Sequence, residues 1–138
     1  KRAPKVYGFD TGFVCVLNGW SIKRPDDAGR LWEHYVLNEL HSKAGIGSIH
    51  HWRTTKGHEV DFVLAPRGRP PIAIECKWSV DGREDLRGLK AFRRAYPDGE
   101  SFVVAPNADP AFERGLTGSA KVSFVTLANL MALLPASP

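Results

Sequence analysis

The chain has 138 residues, 43% apolar and 25% charged, the composition of one globular domain, which excludes a disordered segment. Nineteen Lys and Arg against 15 Asp and Glu give a net charge of +4 and a pI near 9.3, a mild form of the basic balance found in nucleic-acid-binding domains. No apolar run approaches the roughly 18 residues of a membrane-spanning helix and no basic-then-apolar leader is present, so neither a membrane protein nor a secretory signal is expected.

The two cysteines, Cys15 and Cys76, lie far apart and form no CxxC pair. That argues against a disulfide framework or a thiolate zinc site and for a reducing, cytoplasmic setting. The chain starts at Lys1 rather than Met, and the expectation is a single domain, residues 1–138, belonging to a longer protein.

In chain order, Val6 to Phe9 reads as a short strand that enters a turn at Asp10-Thr11-Gly12. Phe13 to Leu17 is a short apolar segment, helix or strand, ending at Asn18-Gly19. Ser21 to Gly29 is polar and holds Pro25, Asp26 and Asp27, the signature of a loop. Arg30 to Lys43 predicts a helix, with Leu31, Trp32, Tyr35, Val36, Leu37 and Leu40 in a broad apolar stripe, closed by Gly45 and Gly47.

Ile49 to Arg53 predicts a short strand. His58 to Ala65 alternates, with Val60, Phe62 and Leu64 on one face and Glu59, Asp61 and Val63 on the other. A hairpin loop, residues 66–71, leads to a strand from Ile72 to Trp78, with Ala73, Glu75 and Lys77 on one face. Arg83 to Tyr96 predicts a second helix with Leu86, Leu89, Phe92 and Tyr96 inward. Glu84 and Asp85 fall in its first turn, where the helix dipole favours anions. Ser101 to Ala105 is a buried-type strand, Asn107 to Gly118 a loop or broken helix, and Val122 to Val125 a last strand. Thr126 is placed to cap a helix from Leu127 to Leu134. The order helix, three strands, helix, strand, then strand and helix, predicts an α/β fold with a mixed sheet flanked by helices on both faces.

The chemistry-bearing pattern is a set of charges on the hairpin. Alternation sets Glu75 and Lys77 on one face, and a turn near Gly68 brings Asp61 opposite Glu75. Cross-strand neighbours of this kind have Cβ atoms roughly 4.5–5.5 Å apart. Two carboxylates at that spacing repel unless a cation lies between them, and each raises the other's pKa. Hard oxygen ligands suit Mg²⁺ or Mn²⁺, with the backbone carbonyl of Cys76 as a further donor and Lys77 beside the ion to hold a water. A third acid comes from the first long helix. On a helical wheel Glu33 falls inside the apolar stripe between Leu37 and Leu40, and Glu39 falls between Trp32 and Tyr35. The wheel does not choose between them. An Asp, a Glu and a Lys on paired strands are ordinarily a solvated face. Residues 72–78 otherwise read as a buried strand, in which charges need a reason.

Asp61, thirteen residues, then Glu75-Cys76-Lys77 resembles the signature of the PD-(D/E)xK nucleases. Gly29-Arg30-Leu31-Trp32-Glu33 is similar to their GxxxE helix, and the element order is similar to their restriction-endonuclease-like core. Residues 5–12, 32–40 and 52–63 further resemble the nuclease-like domain of unknown function found C-terminal to AAA-type ATPase domains in bacteria and archaea. The chain itself holds no GxxxxGK[ST] phosphate loop.

The resemblance implies Asp61 and Glu75 as metal ligands, Glu33 as an accessory acid and Lys77 as the catalytic lysine. It implies hydrolysis of nucleic acid, DNA first, to a 5′-phosphate, and a covalently attached ATPase domain in the full-length protein. RecB-like members carry a Gln and a Tyr on the helix after the lysine strand. Gly88 stands where that Gln would align.

Arg53, Lys56, Arg83, Arg87, Lys90 and Arg94 are the candidate phosphate contacts, the last four at helical spacing on the outer face of the second helix. His50 and His51 lack a third ligand at zinc spacing and read as surface histidines. Trp52, next to Arg53 and near Lys56, is the tryptophan placed best for stacking on a base. No Ser and His form a recognisable nucleophile pair. Three functional classes remain: a Mg²⁺- or Mn²⁺-dependent nuclease, a non-catalytic domain of the same fold that docks nucleic acid or a partner for an attached ATPase, and a pure protein-interaction domain, which would show no salt-dependent binding to DNA.

Overall fold

A computed structural model of the chain describes residues 5–43 and 48–135. Four helices surround one six-stranded mixed sheet. The helices are α1 (Thr11–Asn18), α2 (Pro25–Ser42), α3 (Arg87–Ala95) and α4 (Leu127–Leu133). The strands are β1 (Ile49–Arg53), β2 (Glu59–Leu64), β3 (Ile72–Cys76), β4 (Ser101–Val104), β5 (Phe112–Thr117) and β6 (Ala120–Val125). Their spatial order is β1-β2-β3-β4-β6-β5. β1, β2 and β3 are antiparallel neighbours, β3, β4 and β6 run parallel, and β5 returns antiparallel at the edge. Among the described residues, no helix is long and apolar enough to cross a membrane.

The expected mixed sheet between helices is therefore present, and the two cores follow from strand alternation. Ile72 and Ile74 of β3 join Phe62, Leu64, Phe102 and Val104 against Val36, Leu37 and Leu40 of α2 and Leu130 of α4. Ala73 of β3 joins Val63, Val103, Val122 and Phe124 against Leu89 and Phe92 of α3. The centre of the sheet is thus buried on both faces, as parallel strands require.

Several local expectations are corrected. Val6 to Phe9 forms no strand and bends at Phe9. The turn after it is a helix start: Asp10 caps α1 by accepting the Phe13 N–H at 2.8 Å, and Gly19, at φ 62°, ends it. α2 begins at Pro25, inside the expected loop. Pro fits the first helical position because its missing N–H has no partner there, and Asp26 and Asp27 complement the dipole in the first turn. The Gly45 and Gly47 stop lies outside the described residues.

α3 starts at Arg87 rather than Arg83. Glu84 and Asp85 precede it and accept backbone N–H groups in the turn before the helix. Tyr96 is the exposed C-cap that follows it, not an inward residue. The stretch from Asn107 to Gly118 contains β5. This edge strand carries Glu113 and Arg114, and its pairing with β6 is irregular between Gly115 and Thr117, which hides the period-two signal. Thr126 does cap α4, through the Asn129 N–H at 3.3 Å.

Candidate active site

The site lies where β2 and β3 part. Their ladder runs Leu64–Ile72, Val63–Ala73 and Phe62–Ile74, and stops. On the other side of β2, the register against β1 slips between His50 and Trp52, so His51 faces both Asp61 and Phe62. This is a β-bulge: one extra residue bends the strand and puts two successive side chains on the same side. Val60 consequently joins Val63 in the α3 core, and Asp61 turns with Phe62 toward α2. The simple alternation that grouped Val60 with Phe62 and Leu64 is corrected by this bulge. His51 Nδ1 lies 3.3 Å from the Asp61 carbonyl oxygen, across the bulge.

The Asp61 carboxylate closes the open end of the ladder. Its Oδ2 accepts the Cys76 N–H at 2.9 Å. Ala73 and Lys77 donate their N–H groups toward β4, so the polar groups of Cys76 point the other way, to the β2 side. The Cys76 carbonyl shares that edge and opens into the fork. Burial and the Glu33 charge push the Asp61 carboxyl above its ordinary range, against the Cys76 N–H, Lys5 and Lys77.

β3 carries Glu75 on the α3 side, with Lys77 just beyond its end, as alternation requires; the bulge therefore overturns the expected shared face of Asp61 and Glu75, which meet instead at the fork, where both line one cavity. Lys77 Nζ donates to Glu75 Oε1 at 3.0 Å, while Glu75 Oε2 is buried with no hydrogen-bond partner among the described residues. Burial, reinforced by Asp61, pushes the Glu75 carboxyl up to about 8, and Lys77 opposes it. Burial alone would lower the Lys77 ammonium. The Glu75 charge and hydrogen bond overcome that and raise it.

Glu33 is the acid that α2 contributes. Its Oε1 accepts from Tyr7 Oη at 2.5 Å and Lys5 Nζ at 3.0 Å. Glu33, Asp61, Glu75, Cys76 and Lys77 line one open cavity of about 600 Å³ together with Lys5. Glu39 is not among the lining residues, so packing makes the choice the helical wheel left open. Glu75 and Lys77 also line a polar cavity of about 370 Å³ on the α3 side, with Lys56, Arg87 and Gly88.

Among the described residues, no three His, Cys, Asp or Glu side chains are drawn together as a ready metal cage. The donors present are oxygens of two carboxylates and the Cys76 carbonyl, with Glu75 Oε2 unpartnered. Such a hard, partly filled set suits an ion that keeps several waters.

A family model described as "Domain of unknown function (DUF4143)" matches residues 28–121. The chain belongs to the DUF4143 family. It is 32% identical over 74 residues to uncharacterized proteins of Mycobacterium tuberculosis and Mycobacterium bovis, a match covering 51% of this chain and 17% of each of theirs. The domain thus corresponds to a minor part of those curated relatives. A chain from an assembly of Thermococcus gammatolerans McrB AAA+ hexamers with bound McrC superposes with a TM-score of 0.55, covering 71% of this chain and 27% of that one. At 13% identity this likeness is one of fold.

In this DUF4143 domain the matched residues hold Glu33, Asp61, Glu75 and Lys77. The expected basic set is less uniform. Lys90 and Arg94 are exposed on α3. Arg87 is paired bidentately with Asp85, at 2.7 Å from Nη2 to Oδ2, and so offers less free charge. Arg83 lies before the helix, 3.5 Å from Asp81, and does not share the face of the other three. Arg53 stands 3.6 Å from Glu59, while Lys56 faces the polar cavity. Trp52 packs edge-on against Phe92 at 5.2 Å and is a core residue rather than a stacking platform. His50 and His51 are exposed, as read.

Gly88 has a structural reason. A Cβ there would lie 1.8 Å from the Glu59 carbonyl oxygen, so the aligned Gln position admits no side chain and α3 meets β2 backbone to backbone. Two site residues went unassigned in the sequence reading: Lys5 and Tyr7. Both side chains reach Glu33, and no periodic pattern in the sequence marks them.

Proposed function

We propose that this domain is a metal-dependent nuclease of the PD-(D/E)xK kind, acting on nucleic acid, DNA first, and working as part of a longer protein with an attached ATPase. The observation that carries the reading is the convergence of Asp61, Glu75 and Lys77 on one cavity, with Glu75 Oε2 buried and without a partner among the described residues. An unsatisfied buried carboxylate oxygen is costly to keep.

Asp61, Glu75 and the Cys76 carbonyl would hold Mg²⁺ or Mn²⁺, with Glu33 as an accessory acid. When bound, such an ion supplies a water of lowered pKa and a counter-charge for the scissile phosphate. Lys77, tethered to Glu75 at 3.0 Å and placed between both cavities, orients the attacking water. Lys56, Lys90 and Arg94 offer phosphate contacts without sequence readout, which makes binding depend on salt. Hydrolysis leaves a 5′-phosphate.

The test is plasmid nicking with Mn²⁺ or Mg²⁺ by the wild type, Lys77→Ala and Asp61→Ala. Lys77→Ala is expected to abolish cleavage and keep metal and nucleic-acid binding, and Asp61→Ala to lose both cleavage and metal binding. Wild-type protein that cuts neither DNA nor RNA refutes catalysis.

A second reading has its own support. Phe13, Val16 and Leu17 of α1 are 63%, 80% and 68% exposed, an apolar face that favours a docking role. The fold neighbour comes from an assembly of an AAA+ protein with a bound partner, which fits a non-catalytic domain serving an attached ATPase.

A further inference from the structure

The proposed chemistry leaves the N-terminal segment unused, although the segment is tied to α2 along its length. Lys5 and Tyr7 reach Glu33, the Gly8 N–H donates to His34 Nδ1 at 3.2 Å, and Asn38 Nδ2 donates to the Phe9 carbonyl at 2.6 Å. The Tyr7 ring packs 5.0 Å from that of His34 and 5.9 Å from that of Phe62. Gly8 permits the approach, since a Cβ there would lie 2.1 Å from Val14 Cγ2. These contacts deliver Lys5 to the cavity, where its Nζ stands 3.0 Å from Glu33 Oε1 and 3.5 Å from Asp61 Oδ1.

A cation within reach of an α2 acid and the β2 acid occupies electrostatically the place a divalent ion would take. Two features allow it to leave. The Lys5 side chain is 36% exposed, and its ammonium rides on a flexible four-carbon stem. Tyr7 separately retains Glu33, so the acid keeps its position when the lysine swings out.

We propose that Lys5 is the resident counter-ion of the acid cluster: a positioning residue that holds Glu33 and Asp61 together in the metal-free protein and gives way when a divalent cation binds. The inference rests on the metal reading above. It makes cation affinity a competition. Without Lys5 the two acids repel each other, the metal-free fold loses stability, and an arriving cation has no charge to displace.

The experiment uses Mn²⁺ alone as the probe, by calorimetry on wild type, Lys5→Gln and Asp61→Asn, with melting in EDTA alongside. Lys5→Gln is expected to melt below wild type in EDTA and to bind Mn²⁺ about ten-fold more tightly, the scale of one partly exposed charge interaction. Lys5→Gln with wild-type or weaker Mn²⁺ affinity overturns the proposal. If wild type binds Mn²⁺, Asp61→Asn does not, and Lys5→Gln binds no more tightly than wild type, the Lys5 assignment falls and the metal site stands. If neither wild type nor Lys5→Gln takes up Mn²⁺, the metal reading falls and this one with it. Acetylation of the wild-type chain, read by mass spectrometry against exposed Lys90, needs no variant. Lys5 reactivity should rise on adding Mg²⁺, and an unchanged ratio overturns the displacement.

Discussion

Replacing Arg93 with Met tests what holds β3, and hence Glu75 and Lys77, in register. The Arg93 guanidinium is 2% exposed, yet no carboxylate lies within ion-pair distance of it among the described residues. Its fork is filled by oxygen dipoles. Nε donates to Ser101 Oγ at 2.7 Å, Nη1 to the Tyr96 and Asp98 carbonyls at 3.2 and 2.5 Å, and Nη2 to the Pro71 carbonyl at 2.9 Å and to that of Glu100. The residue joins the end of α3, the start of β3 and the start of β4. Gly99, at φ 109°, lets the chain close round it, since a Cβ there would meet the Pro71 carbonyl at 2.2 Å. Burial lowers the Arg93 pKa, and Asp98 and Glu100 oppose that.

Arg93→Met keeps most of the volume and removes all five bonds. The carbonyls of Tyr96, Asp98 and Glu100 belong to exposed residues and can regain water, whereas Ser101 is 3% exposed and cannot. The cost is therefore set by one or two stranded acceptors and the lost tether, about 3 kcal/mol. At roughly 3–5 °C per kcal/mol for a domain of this size, melting should fall by about 10 °C. Urea unfolding should show a lower midpoint at unchanged slope. Arg93→Lys, with a point charge in place of a planar fork, should recover part of the loss but not all. A Met variant within about 1 kcal/mol of wild type, or a Lys variant equal to it, refutes the reasoning.

Three further outcomes are expected. Gly88→Ala drives a Cβ into the Glu59 carbonyl and should cost about 1–3 kcal/mol in thermal or urea unfolding. Glu84 is held down to about 2 by Arg114 and turn N–H groups, against its burial, so its contribution is full above the usual carboxylate pKa near 4.5 and is lost as pH falls toward 2. Arg114→Met should flatten stability measured between pH 5 and 2. Glu75 has the opposite sign: its folded pKa near 8 exceeds the ordinary 4.5, so the folded state holds a proton longer and stability drops as pH rises from 4.5 through 8. In EDTA at pH 8, Glu75→Gln should be more stable than wild type by about 1 kcal/mol or more, and a less stable variant contradicts the reading of a strained, metal-free acid.

Periodic signals carried most of the architecture. The stripe Leu31 to Leu40, the alternation of residues 72–78 and the apolar run at 101–105 place α2, β3 and β4 because each repeats over enough residues to define a buried face. Asp61, Glu75 and Lys77 were legible for the same reason, as charges inside strands that otherwise read as core. Elements without a repeat were not legible. β5 is an edge strand with an irregular pairing, and the start of α2 was masked by Pro25, Asp26 and Asp27, which serve loops and helix N-termini alike.

What tertiary structure alone decided is how these acids meet. The bulge opposite His51 turns Asp61 toward α2, and nothing in the local pattern of β2 marks it, because a bulge is a mismatch in the pairing of two strands and not a property of either one. Glu33 was chosen over Glu39 by how α2 packs, which sets Glu33 on the cavity with Lys5 and Tyr7 against it. Lys5 reaches Glu33 and Asp61 across 28 and 56 residues of chain, and Arg93 finds its five partners only once α3, β3 and β4 have come together. Short-range periodicity determined which faces are buried. Long-range packing determined which charges share a cavity, because that depends on where separate elements end relative to one another.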